Sequence, residues 1–203
     1  NMLRGQDNVV WPKPAEDPVK YLSVMFSVPQ ELAKMLIDSF GEHEALEILR
    51  YRPKDRDVTI RVNYLRCDDT RLRALLADSE MEFTQGIVPG TYKVKHAGDL
   101  TRMRAFQNGL FTIQGESSVI AARMVGAKPG QTVLDACAAP GGKTAVLSEM
   151  MNDTGRVYAW DTHAHRVELI RGTANRLKLE NVRPAVKDAS APREDMALTL
   201  DAA

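Results

Sequence analysis

Asp135-Ala136-Cys137-Ala138-Ala139-Pro140-Gly141-Gly142-Lys143-Thr144 carries the strongest chemical signal in the chain. The apolar pair Val133-Leu134 runs into a loop of small residues with adjacent glycines, and an amphipathic pattern follows. In an open α/β sheet a ligand sits at the carboxyl end of a strand, and small residues let the loop backbone approach it closely. Gly also supplies φ/ψ values that other residues reach only with strain. Two more acids fall at similar places: Asp161 closes the stretch Arg156 to Trp160, and Asp188 follows Val182 to Lys187. An acid about 20 residues past such a loop suits the two hydroxyls of a ribose. For Asp161 alone, an N-cap of the next helix is an equal reading. Beside the loop, the ribose reading is preferred.

The loop is not a common phosphate cradle. In the pattern G-x-x-x-x-G-K-[ST], Gly142, Lys143 and Thr144 fit, but the first glycine would fall on Cys137. The dinucleotide pattern G-x-G-x-x-G is absent as well. Strand ends carrying Asp135, Asp161 and Asp188, with no phosphate-binding glycines, favour a nucleoside whose tail is positively charged. S-adenosylmethionine is such a ligand. A plain turn with no ligand would leave Asp135, Pro140 and Lys143 without a purpose.

Regular elements must position these groups. Strands at 132–136, 156–160 and 182–187 alternate with helices at 143–152 and 163–178, which predicts a parallel sheet with right-handed crossovers. Val167, Ile170, Ala174 and Leu177 place one apolar stripe on the longest helix. Val119 to Val125 is apolar all round, predicting a buried helix. Upstream, residues 1–18 read as an extended linker. Pro29 to Phe40 reads as an amphipathic helix stopped by Gly41, and Glu42 to Tyr51 as another. Thr59 to Leu65 alternates as a strand with Ile60, Val62 and Tyr64 on one face. Asp68 or Asp69 then caps a helix through Leu72, Leu75 and Leu76. Short strands follow near Glu82 and at Tyr92 to Lys95. The result is a small α+β sheet, RRM-like in outline, without the aromatic-rich strand that would stack bases.

The chain has 203 residues, 44% hydrophobic and 27% charged, an ordinary soluble globular composition. Two cysteines give neither a disulfide framework nor metal-ligand spacing, which suits a reducing cytoplasm. The four histidines form no metal-binding motif, and no apolar run reaches the ~20 residues of a membrane span. Net charge is zero, so the whole chain does not attract RNA electrostatically. Residues 50–73 nevertheless hold eight basic groups against four acids. Arg50, Arg52, Lys54, Arg56, Arg61 and Arg66 are therefore candidates to touch RNA phosphates. A solvated face with local ion pairs is the equal alternative on charge alone.

The stretch Asp135 to Thr144 resembles the first motif of the Sun/Fmu (NSUN-type) RNA 5-methylcytosine methyltransferases, in the manner of the bacterial small-subunit rRNA methyltransferase B type. Gly109-Leu110-Phe111-Thr112-Ile113-Gln114-Gly115-Glu116-Ser117-Ser118 resembles that family's entry into its catalytic domain, with Gly115 where Asp is usual. Arg61-Val62-Asn63 resembles the start of the preceding small domain, and Trp11-Pro12 through Ser27-Val28-Pro29 a linker after a NusB-like domain. The resemblance implies three parts: residues 1–54 as a helical remnant, 55–115 as a small RNA-binding-type α+β domain, and 116–203 as the N-terminal half of a Rossmann-like S-adenosylmethionine-dependent methyltransferase domain. It implies that Cys137, Ala138, Ala139, Pro140, Gly141, Gly142 and Lys143 wrap the methionine part of S-adenosylmethionine. Asp161 would hold the ribose and Asp188 would lie near the adenine. Arg166 is a weaker candidate, an exposed helix charge being the plainer reading.

The reaction so implied is methyl transfer to cytosine C5 in RNA, 16S rRNA being the expected substrate. Cytosine C5 is a poor nucleophile until an enzyme thiolate adds at C6, which requires a low-pKa cysteine. Cys137 matches a non-nucleophilic family position and Cys67 lies in the small domain, so neither is assigned that role. The resemblance places the nucleophile beyond Ala203, with Met196 to Ala203 beginning a fourth strand. The expectation is an internal fragment that carries the cofactor half and is inactive alone. The alternative is a non-catalytic RNA-binding module with a vestigial nucleoside pocket.

Overall fold

The computed structural model describes residues 11–52, 57–95, 97–190 and 200–202. It contains two compact units, Asn1–Lys54 and Asp55–Ala203.

The first unit is helical. Asp17 caps α1 (Pro18–Phe26) by accepting from Lys20 N at 2.9 Å, and Pro18 occupies the first turn, where its missing N–H costs nothing. Ser27 ends α1 in the left-handed region. Gly41, at φ +89°, separates α2 (Gln30–Phe40) from α3 (Glu42–Arg50). Leu22, Ala33 and Ala45 are the buried centre, with Leu36, Ile37 and Leu46 packed around them.

The second unit begins with a four-stranded antiparallel sheet. Its strands are β1 (Val58–Val62), β2 (Phe83–Gln85), β3 (Thr91–Val94) and β4 (Phe111–Ile113), in the spatial order β2-β3-β1-β4. Helix α4 (Asp69–Asp78) joins β1 to β2, and Asp68 caps it by accepting from Arg71 N at 2.8 Å. The short α5 (Arg104–Gln107) precedes β4. This is the connectivity of a split βαβ sheet. Ile60, Val62, Leu72, Leu76, Tyr92, Val94 and Phe111 form its core. Tyr64 lies past the end of β1 and is half-exposed, its hydroxyl donating to Asp69 at 2.7 Å. It therefore does not extend the Ile60–Val62 face.

Helix α6 (Glu116–Met124) leads into the second sheet. Only Val119 and Ala122 of this helix are buried; Ile120 and Met124 are exposed, so the apolar surround does not produce an all-round buried helix. Strands β5 (Thr132–Asp135), β6 (Arg156–Asp161) and β7 (Val182–Val186) are parallel in that order, joined by α7 (Gly142–Met150) and α8 (Ala164–Leu177). The predicted stripe of Val167, Ile170, Ala174 and Leu177 is buried against Val133, Val157 and Ala159. Each fully buried side chain of that size contributes about 1.5–3 kcal/mol. Ala202 lies parallel to Val133 on the free side of β5, and Leu134 N donates to Ala202 O at 2.9 Å. Residues 196–199 and 203 of the strand expected at 196–203 lie outside the described residues.

Buried polar contacts join the small sheet to the helices of the parallel sheet. Arg61 of β1 pairs with Glu149 of α7, their side chains 2% and 7% exposed, and donates through Nε to Gln114 Oε1 at 2.8 Å. Arg176 of α8 donates to Phe106 O, Phe111 O and Thr112 Oγ1 at 2.9–3.0 Å and lies 3.8 Å above the Phe106 ring. Asn63 donates to Gly109 O and Leu177 O. A Cβ on Gly109, at φ +70°, would stand 2.2 Å from Arg176 O, so the close approach of this corner to α8 requires glycine.

Candidate functional site

The loop from β5 to α7 is built by backbone hydrogen bonds. Asp135 ends β5 and is buried, and its carboxylate accepts from Thr144 Oγ1 at 2.7 Å. That contact ties the strand end to the first turn of α7. Ala138 N donates to Trp160 O at 2.8 Å, linking the loop to the end of β6. Gly141 N closes a turn onto Ala138 O at 2.7 Å. Gly141 adopts φ +103°, and a Cβ there would meet Thr173 at 3.3 Å. Thr173 also donates to Pro140 O at 2.8 Å, so α8 supports the loop from the outside. Cys137, Pro140 and Lys143 are exposed, and Ala138 is buried.

Asp161 ends β6 beside this loop and is 4% exposed. Its Oδ1 faces His163 N at 3.4 Å and its Oδ2 faces Arg166 Nη2 at 3.4 Å. The carboxylate is thus held by the first turn of α8, with one half-exposed cation beside it. Asp188 lies two residues past the end of β7 and is exposed. Its carboxylate turns back to Ser190, accepting from Oγ at 2.6 Å and from N at 2.9 Å, and these bonds hold its pKa below the usual value. The acids at 135, 161 and 188 share one edge of the sheet, yet their surroundings differ. Asp135 is committed to Thr144, Asp161 is buried next to the loop, and Asp188 is solvated.

Of the basic candidates, Arg61 is the one the structure removes. Arg61 is fully buried and bound to Glu149 and Gln114, so it is not available to a phosphate; α7 covers the face of β1 opposite Ile60 and Val62, on which Arg61 stands. Arg66 is exposed in the second unit. In the first unit Arg50 pairs with Glu47 at 3.1 Å and Arg52 donates to Leu49 O and Tyr51 O. Lys54 and Arg56 lie outside the described residues. Cys67 is buried, and burial pushes its thiol pKa up, the opposite of what a nucleophile requires. Among the described residues no group of His, Cys, Asp and Glu is arranged to hold a metal ion, and no helix is long and apolar enough to cross a membrane.

Three side chains at the sheet junction went unassigned by local pattern: Gln114, Glu149 and Arg176. Arg61 reaches Gln114 across 53 positions of sequence and Glu149 across 88, and Arg176 reaches Phe106 across 70. No local spacing signals such contacts.

Residues 122–202 match the family model described as 16S rRNA methyltransferase RsmB/F. Over 86% of its length the chain is 37% identical to a Bacillus subtilis protein named "Probable ribosomal RNA small subunit methyltransferase B". It is 27% identical, over 80% of its length, to a human protein named 28S rRNA (cytosine(4447)-C(5))-methyltransferase. A solved Pyrococcus horikoshii structure titled a methyltransferase homolog protein superposes with a TM-score of 0.66 at 26% identity, covering 82% of this chain and 55% of that one. The chain spans 39% of the Bacillus relative and 20% of the human one.

Proposed function

The chain belongs to the RsmB/F-type RNA methyltransferase family, and on that premise we propose that it is the cofactor-binding part of an enzyme that transfers a methyl group from S-adenosylmethionine to cytosine C5 of RNA, ribosomal RNA of the small subunit in particular. The observation that carries this reading is the buried Asp161 carboxylate, set at the end of β6 beside the small-residue loop that enters α7.

The residues present fit such a cofactor. Asp161 offers acceptors to the two ribose hydroxyls. The backbone of Cys137 to Lys143, with Gly141 and Gly142 free of side chains, cradles the methionine part. Asp188 lies toward the adenine end of the same edge. Arg166 steadies the Asp161 carboxylate. When bound, the cofactor supplies an electrophilic methyl group on a sulfonium. Neither cysteine is proposed as the nucleophile: Cys67 is buried with a raised pKa, and Cys137 belongs to the cofactor loop. The small α+β sheet, RRM-like in this reading, is the RNA-facing part, and Arg66 is the phosphate contact proposed on it.

Asp161→Ala tests the ribose assignment. Loss of charge-assisted hydrogen bonds worth about 1.5–3 kcal/mol lowers affinity for S-adenosylhomocysteine by about tenfold or more in calorimetry. Unchanged affinity overturns the assignment.

A further inference from the structure

The small sheet of the second unit offers no open face at Arg61. Ile60, Val62 and Tyr92 pack into the core on one side, and Glu149 of α7 closes the other. A nucleobase has no surface to stack on there. Past the end of β1 the chain turns, with Arg66 N and Cys67 N donating to Asn63 O at 3.0 and 2.9 Å. This turn carries Tyr64, Leu65 and Arg66, all exposed. Tyr64 is 48% exposed, yet its ring is held at the phenol end. The hydroxyl donates to Asp69 Oδ2 at 2.7 Å, while Tyr92 donates to the other oxygen of the same carboxylate. Gly90 lies against that end as well: a Cβ there would stand 2.6–2.9 Å from the hydroxyl and two ring carbons. Partial burial and the Asp69 carboxylate push the phenol pKa up to about 12, so the hydroxyl stays a neutral donor. A ring fixed in this way gives up little freedom when a second ring is laid on it.

Three arginines gather at this turn. Arg66 follows Tyr64 by two residues and is exposed. Arg71 Nη1 lies 3.5 Å from Arg66 O. Arg123 of α6 donates through Nη2 to Pro89 O at 3.0 Å, next to Gly90, and its charge acts on the Tyr64 phenol. The two acids nearby are engaged within the fold: Asp68 caps α4, and Asp69 accepts from both tyrosines. A fixed, exposed aromatic ring among arginines suits single-stranded RNA, whose unpaired bases stack on such rings while guanidinium groups meet the phosphates. A duplex hides its base faces and gains only the charge.

We propose that Tyr64 is a stacking platform for an unpaired RNA base, with Arg66 and Arg123 meeting the phosphates that flank it. The proposal rests on the reading of the small sheet as the RNA-facing part. Fluorescence anisotropy tests it on the full chain, with a labelled oligoribonucleotide of mixed sequence, either single-stranded or annealed to its complement, over a range of salt concentrations. Thermal melting shows that each variant is folded at the assay temperature. Tyr64→Leu lowers affinity for the single strand by about tenfold, leaves that for the duplex within about twofold, and does not alter the salt dependence. Tyr64→Phe keeps the ring and stays within about twofold on both. Arg66→Gln weakens both RNAs and lowers the slope of log K against log salt by about one. If Tyr64→Leu leaves the single strand unaffected, or weakens both RNAs equally, no base stacks on this ring. If Tyr64→Phe loses as much as Tyr64→Leu, the hydroxyl bond to Asp69 and not the ring is what matters. Either result overturns the proposal while the RNA-facing reading stands. If the unsubstituted chain binds neither RNA, that reading falls and takes the proposal with it.

Discussion

Arg61→Met is the substitution that best separates a buried structural arginine from an RNA contact. The Arg61 and Glu149 side chains are 2% and 7% exposed, so removing the guanidinium leaves a carboxylate buried without its counter-ion. Breaking a buried pair from one side costs about 3–5 kcal/mol. Gln114 Oε1 loses its donor at the same time, but the two losses report one group and are not summed. With a urea m-value of about 2 kcal/mol/M, a loss of about 4 kcal/mol lowers the unfolding midpoint by about 2 M. Trp160, 3% exposed in the core of the second unit, provides the fluorescence signal, while Trp11 is already 58% exposed. The double variant Arg61→Met, Glu149→Leu removes both charges and keeps the volume. It recovers part of the loss, remaining below the unsubstituted chain by about 1–2 kcal/mol for the stranded Gln114 carbonyl. A single variant within about 0.5 kcal/mol of the original, the range of an ordinary surface change, refutes the reasoning. So does a double variant no more stable than the single one.

Gly109→Ala places a Cβ 2.2 Å from a backbone carbonyl at φ +70°, combining strain with overpacking. A loss of about 2–6 kcal/mol is expected by urea unfolding, and tolerance of alanine would contradict the close approach of β4 to α8. Glu116 accepts from Val88 N at 2.9 Å and Thr91 Oγ1 at 2.8 Å, and these bonds hold its carboxyl below the usual value of 4.5. A depressed folded pKa contributes stability that is present above 4.5 and lost as pH falls below it. Glu116→Gln therefore flattens the acid limb of the stability-versus-pH curve; an unaltered limb shows that other carboxylates govern it.

The repeating part of the fold was legible because its information is local. Val167, Ile170, Ala174 and Leu177 announce a one-faced helix by spacing alone, and short apolar runs ending in Asp135 and Asp161 announce parallel strands. The loop glycines could be read in the same way, since paired small residues between strand and helix have few other uses. Charge patterning was less informative. Eight basic groups over residues 50–73 look like one patch in sequence, but α7 covers the face of β1 that carries Arg61, while Arg66, past the end of that strand, faces solvent. The apolar surround of α6 is also misleading, because burial depends on what packs against each face, and Ile120 and Met124 stay exposed.

By itself, then, the sequence determined the alternation of strands and helices, the small-residue loop and the acid at the end of the following strand, because each depends on residues within a few positions of one another. Only the tertiary structure decided that Arg61 meets Glu149 and Gln114, that Arg176 clamps the strand at Phe111, and that Asp135, Asp161 and Asp188 have three different environments. Those contacts join residues far apart in the chain, and which of them form is set by how two sheets close around shared helices.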